Sequence, residues 1–189
     1  MGAELKDGGA GAALDIAVNR RAHKWSRKEL LGRLLWGLAH PLFALSPRPM
    51  WAWRRRLLRL FGARVGRDVR INPTARVTIP WNLAMGDEVG IGDRVILYAL
   101  GPISIGARAT VSQGAHLCAG SHDFRDPAMS LTKPPISIGE EAWICADAFV
   151  GPGVVVGARA VVGARAVAMK DVAAGAVVAG NPAREIGKR

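Results

Sequence analysis

A strict period of six residues, which begins at Val65, constrains the fold of this chain more than any other feature. Aliphatic residues recur at that spacing in four sets, and Gly or another small residue follows most of them. An α-helix repeats its faces every 3.6 residues and a strand every two, so neither explains a period of six. Hexapeptide repeats are typical of parallel β-helices, in which each unit forms one side and three sides form a coil. The small residue after each aliphatic position is expected to permit the tight corner between two sides. The aliphatic positions, predicted to point inward, are Val65, Ile71, Val77, Met85, Ile91, Leu97, Ile105, Val111, Leu117, Ile138, Ile144, Val150, Val156 and Val162.

One long insertion, residues 119–137, interrupts the repeat and contains His122 within the sequence GSHD. The sides of a regular β-helix are smooth and carry few catalytic features. A loop is therefore needed to bring a titratable side chain to the surface. In isolation, a histidine in such a loop is better explained as a solvated surface residue.

The region before the repeats divides into two segments. Residues 1–24, rich in Gly and Ala, are expected to form a flexible tail, and residues 25–62 a basic helical arm. Ser26 and Glu29 form a capping box ahead of an apolar run, which predicts a helix that ends near Pro41.

A second short helix is predicted for MWAWRRRLLRLF, residues 50–61. Residues 63–189 then form the β-helix domain, so the expected fold class is an all-β, parallel β-helix with an N-terminal α-helical arm. The helical spacing of the second helix predicts one apolar side and one basic side. The apolar side is expected to hold Trp53, Leu57, Leu60 and Phe61, and the other side Arg54, Arg55 and Arg59.

The net charge of +11 is confined to the first part of the chain. Residues 1–80 contain 16 Lys and Arg against 5 Asp and Glu, whereas residues 81–189 contain ten of each kind. We find no apolar leader at the N-terminus, and the apolar run at residues 30–45 is too short to span a bilayer. Cys118 and Cys145 occupy positions where other repeats have Gly or Ser, which favours small buried thiols in a reducing compartment. We therefore expect a cytoplasmic protein.

The repeat, its histidine loop and the C-terminal element GNPAR resemble the left-handed β-helix acetyltransferases. SPRP, PWNL, GSHD and AWI most resemble the colanic acid biosynthesis acetyltransferases within that family. The resemblance, which covers roughly residues 25–189, implies a left-handed coil and a homotrimer. It also implies that acetyl-coenzyme A lies in the groove between two β-helices, with the loop of one subunit completing the site.

The resemblance also implies roles for individual residues. His122 matches the base that takes the proton of an acceptor hydroxyl, a role that suits a neutral imidazole. Asp123 is its neighbour, but adjacent side chains seldom face each other, so we assign it to hydrogen bonds within the loop. Met169 stands where galactoside acetyltransferases have Thr, so one polar contact is missing there. The residues that match coenzyme contacts are Trp143, Ala146, Ala164, Lys170 and Arg184.

The acceptor side is less defined by the sequence. Tyr98 and Asn82 are candidates for acceptor binding, with a structural role as the alternative for each. His116, six residues before His122, competes for the role of base. Two histidines also raise the question of zinc, but the remaining pair, His23 and His40, lies in the arm, so we expect no metal.

Three functions fit these features to different degrees. The first is acetyl-coenzyme A-dependent O-acetylation of a sugar in an exopolysaccharide or its lipid-linked precursor. The second is acyl transfer from an acyl carrier protein, and the third a basic scaffold without catalysis that binds membrane or nucleic acid. The third leaves the histidine loop unexplained, so we expect a saccharide partner and no nucleic acid. The arm, residues 25–62, is expected either to contact the inner membrane surface or to cap the first coils.

Overall fold

The computed structural model describes residues 13–189; the remainder of the segment expected to be a flexible tail, residues 1–12, lies outside the described residues. Three α-helices precede the strands: α1 Ile16–Arg21, α2 Arg27–Ala44 and α3 Trp51–Leu60. A 3-10 turn, Pro80–Asn82, follows the third strand. The strands are β1 Arg64–Val65, β2 Arg70–Ile71, β3 Arg76–Val77, β4 Leu83–Met85, β5 Gly90–Ile91, β6 Ile96–Tyr98, β7 Ile103–Ile105, β8 Thr110–Val111, β9 His116–Cys118, β10 Ser121–His122, β11 Leu131–Thr132, β12 Ile136–Ile138, β13 Trp143–Ile144, β14 Phe149–Val150, β15 Val155–Val156, β16 Val161–Val162, β17 Val167–Ala168, β18 Ala176–Ala179 and β19 Arg184–Lys188.

The strands stack into three parallel sheets that form the sides of a β-helix. Side one has the order β1-β4-β7-β12-β15, side two β2-β5-β8-β13-β16-β18-β19, and side three β3-β6-β9-β14-β17. The antiparallel pairs are the β10–β11 hairpin of the insertion and the β18–β19 pair at the C-terminal end. The order along each side follows the coils, as the hexapeptide period predicts.

The aliphatic positions predicted from the sequence form the core. On side one, Val65 aligns with Met85, Met85 with Ile105, Ile105 with Ile138 and Ile138 with Val156. All fourteen predicted inward residues are buried. Each removes an aliphatic side chain from water, a gain of about 1.5–3 kcal/mol per residue before entropy is counted.

The small residues after the aliphatic positions have a different role from the one expected. We expected them to permit tight corners, but the left-handed backbone conformation falls two residues later, for example at Glu88 (φ 59°) and Glu141 (φ 57°). Gly86 and Gly139 are needed because the next coil approaches closely. A Cβ on Gly139 would lie 2.4 Å from the Ala158 nitrogen.

Helix α2 begins as predicted and ends later. The capping box is present: Ser26 Oγ accepts the Glu29 N–H at 3.2 Å, and Glu29 accepts the Ser26 N–H at 2.8 Å. The helix was expected to end near Pro41, but it continues through that residue for three more positions. Phe43, in this extension, is completely buried and packs edge-to-face against Trp36. This burial offsets the hydrogen bond that proline removes.

The prediction for the faces of α3 is correct for Leu57 but wrong for Arg54 and Leu60. Arg54 is completely buried on the same face as Leu57 and Leu58, whereas Leu60 is 79% exposed. The Arg54 guanidinium donates to the Ile71 carbonyl (2.6 Å) as well as to three oxygens of the segment between α2 and α3. Burial lowers the pKa of this guanidinium from its usual value, but an arginine stays charged at any physiological pH.

Part of the expected tail is ordered against the loop insertion. Helix α1 is capped by Asp15, whose carboxylate accepts the Val18 N–H at 3.0 Å. The backbone N–H of Asp15 donates to the Pro127 carbonyl at 2.7 Å. Residues 13–24 therefore contact the loop, in contrast to the flexible tail expected there. Among the described residues, no helix combines the length and the hydrophobicity that a bilayer span requires.

Candidate active site

The insertion predicted at residues 119–137 forms a loop that the β10–β11 hairpin closes. Asp126 braces its tip, because its carboxylate accepts the Ala128 N–H at 2.9 Å and both the N–H and the hydroxyl of Ser130. The Ser130 hydroxyl and then the Ala128 N–H hold the pKa of the Asp126 carboxyl below its usual value. The loop therefore has its own hydrogen-bonded framework.

His122 lies exposed on β10, and one side of its ring is fixed. Its Nδ1 lies 2.6 Å from the backbone carbonyl oxygen of Met129, across the hairpin. A carbonyl oxygen only accepts hydrogen bonds, so Nδ1 carries the proton of the neutral ring. The lone pair is then on Nε2, which is the arrangement that a general base requires.

Asp123, the neighbour of His122, serves the loop. Its Oδ1 accepts the Arg125 N–H at 3.0 Å, and its own N–H donates to the Ser130 carbonyl at 2.9 Å. This arrangement agrees with the assignment of Asp123 to hydrogen bonds within the loop. The carbonyl of Met129, a backbone group, is what orients the imidazole.

His116 has a different environment, although it lies only six residues before His122. Its ring is half-buried on side three, edge-to-face with Tyr98 (centroids 6.2 Å apart) and with Phe149 (5.2 Å). Burial lowers the pKa of His116 below its usual value, and its Nε2 has no hydrogen-bond partner among the described residues. A neutral histidine packed between aromatic rings is a poorer candidate base than the exposed His122.

Trp143 lies on side two of the β-helix, on a different face of the chain from His122. It is 46% exposed, and its indole N–H donates to Ser112 Oγ at 2.9 Å. A surface groove of about 420 Å³ runs past it, with Arg108, Glu141 and Arg189 among the lining residues. The groove combines an aromatic wall with charged side chains of both signs, since Arg108 is paired with Glu141 at 3.0 Å.

The other residues matched to coenzyme contacts lie on the later coils. Ala146 and Ala164 occupy the same corner of successive coils, since the Arg165 N–H donates to the Ala146 carbonyl at 2.9 Å. Lys170 and Arg184 are exposed. Within residues 13–189 neither cation takes part in a salt bridge, so both are free to meet an anion.

The two candidate acceptor residues differ in their freedom to bind a ligand. The Asn82 amide donates to the carbonyls of Ala99 and Leu100, each at 2.9 Å, and so ties the 3-10 turn to the next coil. Tyr98 lies half-buried on side three beside His116. Asn82 thus has a structural bond for each amide hydrogen, whereas Tyr98 is on the side from which the loop with His122 departs.

A single chain presents the two halves of the candidate site on different faces. His122 follows the side-three strand β9, whereas Trp143 projects from the side-two strand β13. Over the part of the chain that the structure describes, no group of three His, Cys, Asp or Glu side chains is placed to hold a metal ion.

Two residues near the site were not singled out from the sequence. Ser112 anchors the Trp143 indole, and its signal was its place after Val111, where most repeats have Gly. Asn19, in α1, donates to the Ala128 and Met129 carbonyls of the loop. No local pattern marks Asn19, because its partners lie over a hundred residues away.

Comparison with known proteins identifies the family. No family model matches the chain. A colanic acid biosynthesis acetyltransferase of Escherichia coli, WcaF, is 45% identical over 157 residues, which cover 83% of this chain and 86% of that protein. The nodulation protein L of Rhizobium leguminosarum is 35% identical over 136 residues, with 70% of each chain covered.

Solved structures agree with the fold. A hexapeptide-repeat acetyltransferase of Vibrio cholerae, VCA0836, in complex with acetyl-coenzyme A, superposes with a TM-score of 0.81 at 25% identity, covering 88% of this chain and 91% of that one. A galactoside acetyltransferase in complex with coenzyme A gives 0.80 at 21% identity, covering 93% and 91%.

These similarities confirm the expected fold class, an all-β, left-handed parallel β-helix with an N-terminal helical arm. The hexapeptide period, the exposed histidine of the loop and the similarity to these relatives show that the chain belongs to the hexapeptide-repeat acetyltransferase family.

Proposed function

We propose that this protein transfers the acetyl group of acetyl-coenzyme A to a hydroxyl of a saccharide, in an exopolysaccharide or its lipid-linked precursor. The observation that carries the proposal is the exposed imidazole of His122, whose Nδ1 is held by the Met129 carbonyl. Membership of the family and the acetyl-coenzyme A bound to its Vibrio relative support the donor. The 45% identity to the colanic acid acetyltransferase supports the acceptor class.

In this mechanism His122 acts as base and then as acid. Nε2 takes the proton of the acceptor hydroxyl while that oxygen attacks the thioester carbonyl carbon. The tetrahedral intermediate collapses by breaking the carbon–sulfur bond. The coenzyme A sulfur leaves with the electron pair and receives the proton from Nε2. The Met129 carbonyl accepts the Nδ1–H throughout, so the ring keeps its orientation and its positive charge is stabilised while it exists.

The coenzyme is proposed to bind along side two. Trp143 lies beside the pantetheine arm, the backbone at Ala146 and Ala164 meets its amides, and Lys170 and Arg184 face the phosphates. Exposure of both cations and of the Trp143 ring supports this arrangement. On the acceptor side, Tyr98 is the stronger of the two candidates, because the amide of Asn82 is already bonded to backbone carbonyls.

The active unit is proposed to be a homotrimer, with each site built from two copies. The support is geometric: His122 follows side three and Trp143 projects from side two of the same chain. A groove between adjacent copies brings His122 of one subunit to the coenzyme side of the next.

Replacing His122 tests the chemistry. His122→Ala is expected to lower turnover about 10²–10⁴-fold, the usual contribution of a positioned general base, with little change in coenzyme binding. Arg125→Ala, which truncates an exposed side chain of the same loop, is the matched control. Turnover of a folded His122→Ala protein close to that of the wild type would transfer the role of base to His116.

Mixed assemblies test the shared site. Subunits with His122→Ala and subunits with Trp143→Ala, each impaired alone, are expected to recover activity when they are co-expressed, because one groove then combines two intact halves. Light scattering gives the assembly size of each preparation. An active monomer, or the absence of any recovery in mixed trimers, would contradict the proposal.

The acceptor class is tested by mass spectrometry of cell-surface saccharide from wild-type and deletion strains, where loss of an acetyl group is expected.

The arm is proposed to place this enzyme on the inner membrane surface through a leucine face of α2. Trp36 and Arg54 point inward, but α2 exposes a continuous leucine face. These side chains recur at helical spacing and are each 47–84% exposed. Lys28 borders the same face, which suits an anionic lipid surface. The leucine face consists of Leu31, Leu34, Leu35, Leu38, Leu42 and Leu45.

Liposome flotation tests the membrane contact. The purified protein is expected to float with anionic vesicles at low salt, and less with neutral vesicles or at high salt. Leu34→Ser with Leu38→Ser is expected to abolish flotation, whereas Leu60→Ser, which changes an equally exposed leucine outside the face, is not. If the protein never floats and the leucine double variant instead dissociates the trimer, the face is a subunit contact and the membrane proposal is wrong.

A further inference from the structure

The segment before α2 forms a strap across the catalytic loop. Three contacts join them: the Asp15 N–H to the Pro127 carbonyl, the Asn19 amide to the loop backbone, and the Lys133 ammonium to the Lys24 carbonyl at 3.2 Å. The strap is here residues 15–24. It reaches the loop from a part of the chain that the acetyl-transfer chemistry does not otherwise use.

Asn19 makes the central contact of the strap, and its amide is fully occupied. Its Nδ2 lies 2.6 Å from the Ala128 carbonyl oxygen and 2.7 Å from that of Met129. Its Oδ1 accepts from the Lys24 ammonium at 2.6 Å. An amide group has two hydrogens to donate, and both find consecutive carbonyls of the loop.

The Met129 carbonyl is shared between the strap and His122. The same oxygen lies 2.6 Å from His122 Nδ1 and 2.7 Å from Asn19 Nδ2. Met129 has a φ of 49°, a left-handed conformation that is unfavourable for a side chain of its size. External hydrogen bonds are therefore needed to keep this peptide in the orientation that the imidazole uses.

We infer that Asn19 is a positioning residue for His122: it holds the Met129 carbonyl so that Nδ1 keeps the proton and Nε2 faces the acceptor. This inference rests on the proposed role of His122 as the base. Without the Asn19 amide, only the Ser130 N–H bond to Asp126 restrains the peptide after Met129 among the described residues, and the carbonyl that selects the imidazole tautomer is held less firmly. The Nε2–H form, which histidine favours in water, then competes and cannot accept the hydroxyl proton.

The test compares substitutions of Asn19 in the full chain. Asn19→Ala is expected to lower kcat about 10- to 100-fold, the scale of a misplaced catalytic group. KM for acetyl-coenzyme A is expected to change less than about twofold, since the proposed coenzyme residues lie outside both the strap and the loop. Asn19→Asp keeps the size of the side chain but has no hydrogen to donate, so it is expected to be as slow. Asn19→Gln keeps the donors and is expected to recover part of kcat.

A spectroscopic measurement separates positioning from a merely structural role. The ¹⁵N signals of the His122 ring distinguish the two neutral tautomers. The Nδ1–H form is expected in the wild type, and a mixture with the Nε2–H form in Asn19→Ala and Asn19→Asp. Arg20→Ala, an exposed neighbour on the same helix, is the matched control and should keep both kcat and tautomer.

The outcomes separate this inference from the proposed function. If His122→Ala abolishes turnover while Asn19→Ala keeps the wild-type kcat and tautomer, the positioning role is wrong and the base assignment stands. If His122→Ala is active, the base assignment itself fails. Should Asn19→Ala not fold, Asn19→Asp and Asn19→Gln decide: equal kcat values with unchanged ring signals would overturn the inference.

Discussion

The two ends of the β-helix are closed by opposite kinds of hydrogen-bonding group. Within the coils, the carbonyl of an inward residue accepts from the preceding coil, as Met85 does from the Gly66 N–H. The first coil has no predecessor, so its carbonyls need donors from elsewhere. At the other end the last coils have N–H groups to satisfy, and Val155 donates to the Asp171 carboxylate at 2.8 Å. Val167 donates to the Gly180 carbonyl at 2.9 Å.

The arm supplies the donors at the N-terminal end. Its guanidinium and indole groups only donate hydrogen bonds, and the backbone carbonyls of the first coil are acceptors that lack a partner from a preceding coil. The pairs are Trp36 with Val77 (2.7 Å), Arg54 with Ile71 (2.6 Å), Arg55 with Val69 (3.0 Å) and Arg59 with Val65 (2.6 Å).

The bonds of the arm to the first coil explain part of the charge asymmetry along the chain. The excess of basic residues in the first part of the sequence suggested a charged partner. Three of the arginines in that part instead bond to the backbone of the first coil. Part of the positive charge in this region therefore serves to cap the open end of the sheets.

The largest effect is expected from Arg54, because it is the most buried member of the cap. Arg54→Met keeps the length of the side chain but leaves the Ile71 carbonyl and three other oxygens without their donor. We expect the free energy of unfolding to fall by about 3–5 kcal/mol, measured by urea denaturation. Arg56→Met is the control, since Arg56 is exposed on the same helix; equal losses in both variants would refute the capping role.

A smaller effect is expected where the coils pack closely. Gly139→Ala forces a Cβ to within 2.4 Å of the Ala158 nitrogen, and we expect a loss of about 1–3 kcal/mol from overpacking. Gly37→Ala makes the same change in α2, where nothing lies within 4 Å. There we expect a gain of about 0.5–1 kcal/mol. Thermal melts of the two variants should therefore shift in opposite directions, and a shared direction would contradict this distinction between coil and arm.

The smallest effect is expected at the C-terminal end. Asp171→Ala removes the acceptor of the Val155 N–H, but both residues are exposed and water can replace the carboxylate. We expect a loss of about 0.5–1 kcal/mol, again measured by urea denaturation. A loss as large as that of Arg54→Met would show that exposure does not distinguish the two ends.

The sequence predicted the parts of the molecule that repeat. A period of six is visible without any long-range information, so the inward residues and the insertion with His122 followed directly. The capping box at Ser26 was likewise local, and the structure contains it.

The arm and the strap could not be predicted in the same way. The acceptors of Arg54 exist only after the first coil has formed, and hydrophobic spacing alone assigned that arginine to the solvent side. The Asn19–Met129 contact joins residues 110 positions apart, and Asn19 carries no motif. The repeats specify the scaffold locally, whereas the contacts of the strap with the loop come from outside the repeat.

The strap also affects how the activity of the protein responds to heating. The coils share a continuous buried aliphatic core, so they are expected to open late on warming. Helix α1, in contrast, has only six residues and none that is fully buried, so it is among the first elements to detach on warming. If the strap orients the catalytic loop, turnover should vanish at a temperature where the coils are still intact. The working range of the enzyme would then be narrower than the range over which it stays folded.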